Sequence, residues 1–336
     1  MHATRTGAAA ALLLFAAGCS RQPAPPAAPA PAPLPLIRFQ NDWFPQPEQG
    51  GIYQADARGF YREAGVAVDI RPGGPGRPMI TGMLAGQDDI EIAESVDVIT
   101  RVGTGVPLVM IGAVMEHDPL AVMVHDDDPV RTLADLNGRT VMALPGTTWL
   151  AYVKSHYGIN FNLIPLNFSL AQFMADPRFI QQCFITSEPY FAEQKGAKVR
   201  AILISESGYD PYRVYVTTRK FAHDHPAELR AFLAATIRGW DDFGHGDPTP
   251  ARRQILALNA QMTPAFLDYS VGAIARYKLI SGDPAQGDRT GLLTTRRLQS
   301  QIDLLYQMKA IPERLSVDQV ATFEFLPAEL QDLARR

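Results

Sequence analysis

Four short stretches of this 336-residue chain carry side chains suited to gripping a small flat molecule. In the first, Asn41, Asp42, Trp43 and Phe44 follow an apolar run, Leu36 to Phe39, that reads as a strand, and Pro45 and Pro47 stiffen the loop behind them. Trp43 beside Asp42 offers a wall for a planar ring, a contact worth ~0.5–1.5 kcal/mol beyond the area it buries. Phe44 fits either that wall or a hydrophobic staple on the following helix. In the second, Glu94 stands at the tip of a buried strand, where a carboxylate needs a partner that an amino-substituted heterocycle could supply, and Ser95 fits a cap of the next helix. In the third, "PGTTWL", Gly146 permits close approach, and Thr147 and Thr148 lead into a helix whose first amides can hold an anion or a ring nitrogen. Trp149 there fits a second aromatic wall or the core. In the fourth, "ITSEPYF", Glu188 precedes Pro189 at a helix start, where a carboxylate is stabilised by the helix dipole, and Tyr190 stands beside it. Glu116, in "MEHDP" with His117, could line a cleft floor, and Tyr53 belongs to the helix after the first loop.

This is the chemistry of holding rather than of bond making, and no catalytic set, cofactor or metal is expected. His223 and His225, two residues apart beside Pro226, read as polar caps of a helix start. Gly73 to Pro78 is rich in glycine but lacks the Lys and Ser/Thr of a phosphate loop. With 46% hydrophobic and 20% charged residues there is material for a real core, and a net charge of -4 without a basic stripe argues against nucleic acid.

The loops need elements to position them. From Leu36 onward short β-rich runs alternate with helical patterns, the signature of βα units around largely parallel sheets. One series runs through "LIRFQ", "VAVDI", "DIEIA" and "LVMIGAV", and a second through Thr140–Leu144, Leu163–Leu166, "FIQQCFIT" and "VRAILI". Helices are expected at about 48–64, 78–85, 96–102, 147–157 and 170–175. A mainly helical third part follows "VYVTT" and exceeds what the second sheet can use, so it is expected to return to the first. In such sheets ligands bind beyond the carboxyl ends of strands, which is where the four loops fall.

The N-terminus adds an address. Arg5 precedes an apolar run, Ala8 to Ala17, too short for a membrane span and suited to a signal segment, expected over residues 1–18. It ends in "FAAGCS", which resembles the bacterial lipobox with Ala16 where the pattern prefers Leu, and implies lipidation of Cys19. A Pro/Ala tract completes an expected tether over residues 19–35. Cys183 would then be the one thiol left, so no internal disulfide is expected.

The stretches "NDWFP", "GIYQADARGFYREAGVAVDI", "GMLAGQDDIEIAES", "LADLNGRTVMALPG" and "FITSEPYFAEQKGAKV" together resemble binding proteins of ABC importers in the thiamine pyrimidine-precursor-binding group. The resemblance implies the α/β type II periplasmic binding protein fold: two lobes, each a mostly parallel sheet flanked by helices, joined by two crossover segments. Residues 36–124 with 217–336 are expected in lobe 1 and 125–216 in lobe 2. It further implies a lipid-anchored, monomeric protein on the periplasmic side of a bacterial membrane. Such a protein would close its lobes on a small planar amino-bearing heterocycle and deliver it to an ABC permease and ATPase. Glu188 would accept from the ring's amino group. Relatives of similar skeleton are expected to take sulfonates, nitrate or flavins, and a sensory role on the same scaffold stays open. A pyrimidine-synthase-like enzyme fits less well, because the cysteine-rich segment of that branch has no counterpart here.

Overall fold

The computed structural model describes residue 2, residues 33–77 and residues 79–335. Cys19, most of the expected tether and all of the expected signal segment save residue 2 lie outside the described residues.

Among the described residues ten strands form two five-stranded sheets. The first has the order β2-β1-β3-β10-β4, from β1 (Leu36–Gln40), β2 (Ala67–Arg71), β3 (Ile90–Glu94), β4 (Leu108–Met115) and β10 (Arg213–Thr218). The second has the order β7-β6-β8-β5-β9, from β5 (Leu120–His125), β6 (Thr140–Ala143), β7 (Asn162–Pro165), β8 (Ile180–Phe184) and β9 (Val199–Leu203). β1 pairs in parallel with β2 and β3, and β6 with β7 and β8. Each sheet then accepts one antiparallel strand, β10 between β3 and β4 and β5 between β8 and β9.

Those two strands are where the expected lobe boundaries shift. Divisions at 124/125 and 216/217 cut through them, whereas pairing assigns all of β5 to the second sheet and all of β10 to the first. The chain crosses at Glu116–Pro119 and returns between β9 and β10. Their partners are distant in sequence, and "LAVMVH" and "VYVTT" are apolar runs that would suit a buried strand in either lobe, so nothing local marks the crossing.

The helix expected over 48–64 is broken. A turn of 3-10 helix, Pro47–Gln49, leads into Gly50–Ala57, and Gly59, at φ 76°, interrupts the backbone before Phe60–Glu63. Gly50 and Gly51 let this helix press onto Pro226–His245, since a Cβ on either would run into the ring of Phe243 or Trp240. As expected, the C-terminal helices return to the first sheet: Phe232 and Leu233 are buried with Phe39 and Ile111, each such side chain contributing ~1.5–3 kcal/mol. A second core is continuous across both lobes, joining Val98, Ile99 and Ile302 to Val122, Trp149 and Tyr152.

Candidate functional site

The loops after β1, β4 and β8 and the start of β10 meet between the lobes around a cavity of about 20 Å³. Asp42, Trp43, Glu48, Gln49, Phe184 and Arg213 line it. That is room for one water and far less than a heterocycle needs, so a ligand enters only if the lobes part.

Arg213 is the centre of charge. Its guanidinium pairs with Asp42, lies 3.8 Å from Asp118 and stands 5.6 Å from the centre of the Phe184 ring. Burial opposes its charge, but Asp42, Asp118 and Glu94 outweigh burial and hold its pKa above the ordinary value. Gln49 Nε2 donates to the second oxygen of Asp42 at 3.2 Å. Burial, reinforced by the charges of Asp118 and Asp97, pushes Glu94 well above the carboxylate range. Burial raises Asp118 as well, against the pull of Arg213.

Glu48 bridges the lobes. The Thr186 hydroxyl donates to its Oε1, while Oε2 has no partner among the described residues. Burial, with help from the charges of Asp42 and Glu188, pushes this carboxyl up to about 7 even though the Thr186 bond pulls the other way. Two further bonds tie the lobes beside it: Ser270 Oγ donates to Thr186 O at 2.7 Å and Tyr269 Oη to Ile185 O at 3.2 Å. At the rim, the rings of Trp43 and Phe168 meet across the gap with centroids 5.5 Å apart.

The residues singled out from sequence divide sharply. Asp42 and Trp43 face the cavity, and Phe44 stands edge-on to Trp43 at 5.7 Å, 39% exposed, which places it on the rim rather than in a staple. Asn41 turns inward instead, donating from Nδ2 to the buried Tyr53 Oη at 3.0 Å, so Tyr53 is core. Ser95 caps nothing; its hydroxyl donates to Gln301 Oε1 at 2.6 Å and accepts from Tyr212 N at 3.0 Å, pinning the return crossing to helix Thr295–Gln307. Glu116 pairs with Arg297 at 3.3 Å at the first crossing rather than lining the cavity, and Arg297 reaches on to Asp210, which His117 Nδ1 meets at 2.6 Å.

Gly146, Thr147 and Thr148 line a different, open groove of about 490 Å³ together with Thr100 and Met308. Trp149 is buried in the shared core, 1% exposed, and forms no second wall. Tyr190 stacks on Phe266 at 5.2 Å and packs the lobe contact. Glu188 accepts from the amide of Phe184 at 2.8 Å, so it stabilises its own turn while its charge reaches Glu48. Its own carboxyl is raised by burial.

Sequence reasoning passed over Glu48, Asp118, Phe168, Phe184, Thr186 and Arg213. Arg213 was the most discoverable, a cation opening an apolar strand. Phe168 carried a weaker signal, a ring between Asn167 and Ser169 that takes φ 58°, a conformation costly for a bulky side chain. Among the described residues no group of His, Cys, Asp and Glu side chains is arranged to hold a metal ion, and no helix is long and apolar enough to cross a membrane.

The model of the NMT1/THI5-like family matches residues 46–249, more than half of the chain. The chain belongs to that family. A putative thiamine biosynthesis protein of Haemophilus influenzae is 28% identical over 107 residues, which covers 31% of this chain and 33% of that relative, so the match spans about a third of its length. Among solved structures, the alkanesulfonate-binding protein of Xanthomonas axonopodis pv. citri bound to MOPS superposes with a TM-score of 0.65 at 14% identity, over 87% of this chain and 100% of that one. The periplasmic nitrate-binding protein of Synechocystis PCC 6803 gives 0.63 at 11% identity, over 87% of each chain. The same fold also serves an enzyme: a desulfurization enzyme superposes at 0.56 with 14% identity, over 90% of this chain and 100% of that one. The two-lobed periplasmic binding protein fold expected from sequence is thus the fold of this chain.

Proposed function

We propose that the protein is an exported, lipid-anchored solute-binding component of an ABC importer. It captures a small planar heterocycle bearing an amino group, of the thiamine pyrimidine-precursor class, by closing lobe 1 (residues 36–115 and 213–335) on lobe 2 (residues 120–203).

The carrying observation is the charge of the cleft. Asp42, Glu48 and Asp118 gather with Arg213, the one cation among the described residues that line the cavity, and the rings of Trp43 and Phe184 stand beside them. An amino-bearing ring brings donors to carboxylates and a flat face to the aromatics. A sulfonate or nitrate would meet an excess of like charge, which costs binding. Catalysis is disfavoured because His, Cys and Lys are missing from the described residues that line the cavity, and Cys183 is buried with its thiol raised by that burial. Family membership and the Pro/Ala tract behind Cys19 agree with a tethered binding protein.

Native mass spectrometry of protein purified from its own cells tests the ligand class directly. A retained aminopyrimidine is expected; a retained sulfonate, nitrate or flavin would replace the reading with the corresponding alternative. Cys19→Ser should move the protein from the membrane to the soluble fraction, and an unchanged distribution would remove the anchor from the proposal.

A further inference from the structure

We propose that Glu48 selects the amino group of the ligand, using the carboxylate oxygen that its bond to the opposite lobe leaves free. The inference rests on the reading of the cleft as a site for an amino-bearing heterocycle and names the residue that makes it one.

Glu48 is 4% exposed and lines the inter-lobe cavity with Trp43 and Phe184. Its Oε1 is fixed by Thr186, and its Oε2 has no partner among the described residues. A buried acceptor without a donor is costly. Gln49 Nε2 and the Arg213 guanidinium donate to Asp42, and the Thr186 hydroxyl already donates to Glu48 itself. In the empty protein the cavity has room for one water to serve Oε2, and a ligand that enters as the lobes part takes that place with a donor of its own. An exocyclic amino group supplies it, whereas a ring carbonyl in the same place would set oxygen against oxygen. Asp42 and Glu188 add negative charge around Glu48, which favours a donor further, and its carboxyl at about 7 leaves it substantially ionised at neutral pH.

The bond to Thr186 couples selection to closure. Glu48 belongs to lobe 1 and Thr186 to the turn after β8 in lobe 2, so the carboxylate takes its final position only when the lobes meet. A ligand that satisfies Oε2 while both lobes contact it therefore favours a closed arrangement over the open one, with the lobes set wider than around the empty protein's cavity of about 20 Å³.

The test is a calorimetric titration of the purified full-length protein in detergent with 4-amino-5-hydroxymethyl-2-methylpyrimidine and with its 4-oxo counterpart. Wild type should prefer the amino compound at least tenfold. Glu48→Gln, whose amide can serve either compound, should bring that preference below threefold. Should this variant fail to fold, Thr186→Val, which frees the carboxylate from its fixed position, should lower the preference at least threefold. An unchanged ratio in the folded variant overturns the role of Glu48 and leaves the ligand class standing. Binding of neither compound by wild type overturns both.

Discussion

Glu48 in the cleft and Glu116 at the first crossing are the same residue type, both nearly sealed from water and both pushed up by burial, to about 7 and about 9. Their surroundings differ. Glu116 has a cation of its own, Arg297, which also holds Asp210 and stacks 3.9 Å over the Tyr212 ring, so that side chains of both crossings and of helix Thr295–Gln307 join in one network. Each carboxyl keeps one oxygen without a partner among the described residues, but Glu48 has only a hydroxyl from the other lobe and no cation of its own. A buried carboxyl with a cation of its own reads as structure; one that lines a cavity between the lobes without a cation of its own reads as recognition.

The largest effect expected from breaking this contrast is at the crossing. Arg297→Met removes the hydrogen bonds that hold Glu116 and Asp210 together and the cation of Asp210, and should destabilise the protein by about 3 kcal/mol, seen in the urea midpoint. A loss below 1 kcal/mol would erase the distinction between the two regions.

Next comes pH. Both carboxyls titrate higher in the folded protein than in the unfolded chain, so the folded state holds extra protons between about pH 4.5 and each raised value. Their stabilising contribution is complete below about 4.5 and is lost as pH rises through 7 and then 9. The melting temperature of the empty protein should therefore fall from pH 5.5 to 9.5, with Glu48 accounting for up to roughly 3 kcal/mol. Glu48→Gln should remove the step near 7 and Glu116→Gln the one near 9; melting curves that keep both steps would reverse the assignment.

Trp43→Ala sharpens the contrast from the ligand side. It should weaken binding by about 2 kcal/mol in a calorimetric titration while changing the stability of the empty protein by less than about 1 kcal/mol. The smallest effect belongs to Phe168→Ala, which removes a ring that is 52% exposed from a backbone at φ 58°. Affinity should fall only severalfold, with melting temperature unchanged within error.

The lobe architecture was legible because βα alternation is local: "LIRFQ", "VAVDI" and "DIEIA" each read as strands without knowledge of the rest. The antiparallel strands β5 and β10 escaped that logic because their register is set by partners far away in sequence. The site shows the same division. Trp43 and Asp42 follow the end of β1 and were readable from that position alone. Glu48 was not, since its burial depends on Gly50 and Gly51 letting the next helix sink against Trp240 and Phe243. Thr147 and Thr148 sit in the expected loop, yet their groove faces Thr100 and Met308, a direction that strand order alone does not supply. Trp149 and Tyr190 were ambiguous in type and proved to be packing.

The contact between Trp43 and Phe168 also makes the protein its own optical gauge. Of the three tryptophans, Trp149 and Trp240 are sealed in packed cores at 1% and 3% exposure, whereas Trp43 is half-buried at the rim with its ring against Phe168 of the opposite lobe. As the lobes separate, Phe168 leaves that ring and water replaces it, so the indole emission moves to longer wavelength. Opening and closing can thus be followed in real time without any attached dye, and Trp43→Phe provides the dark control.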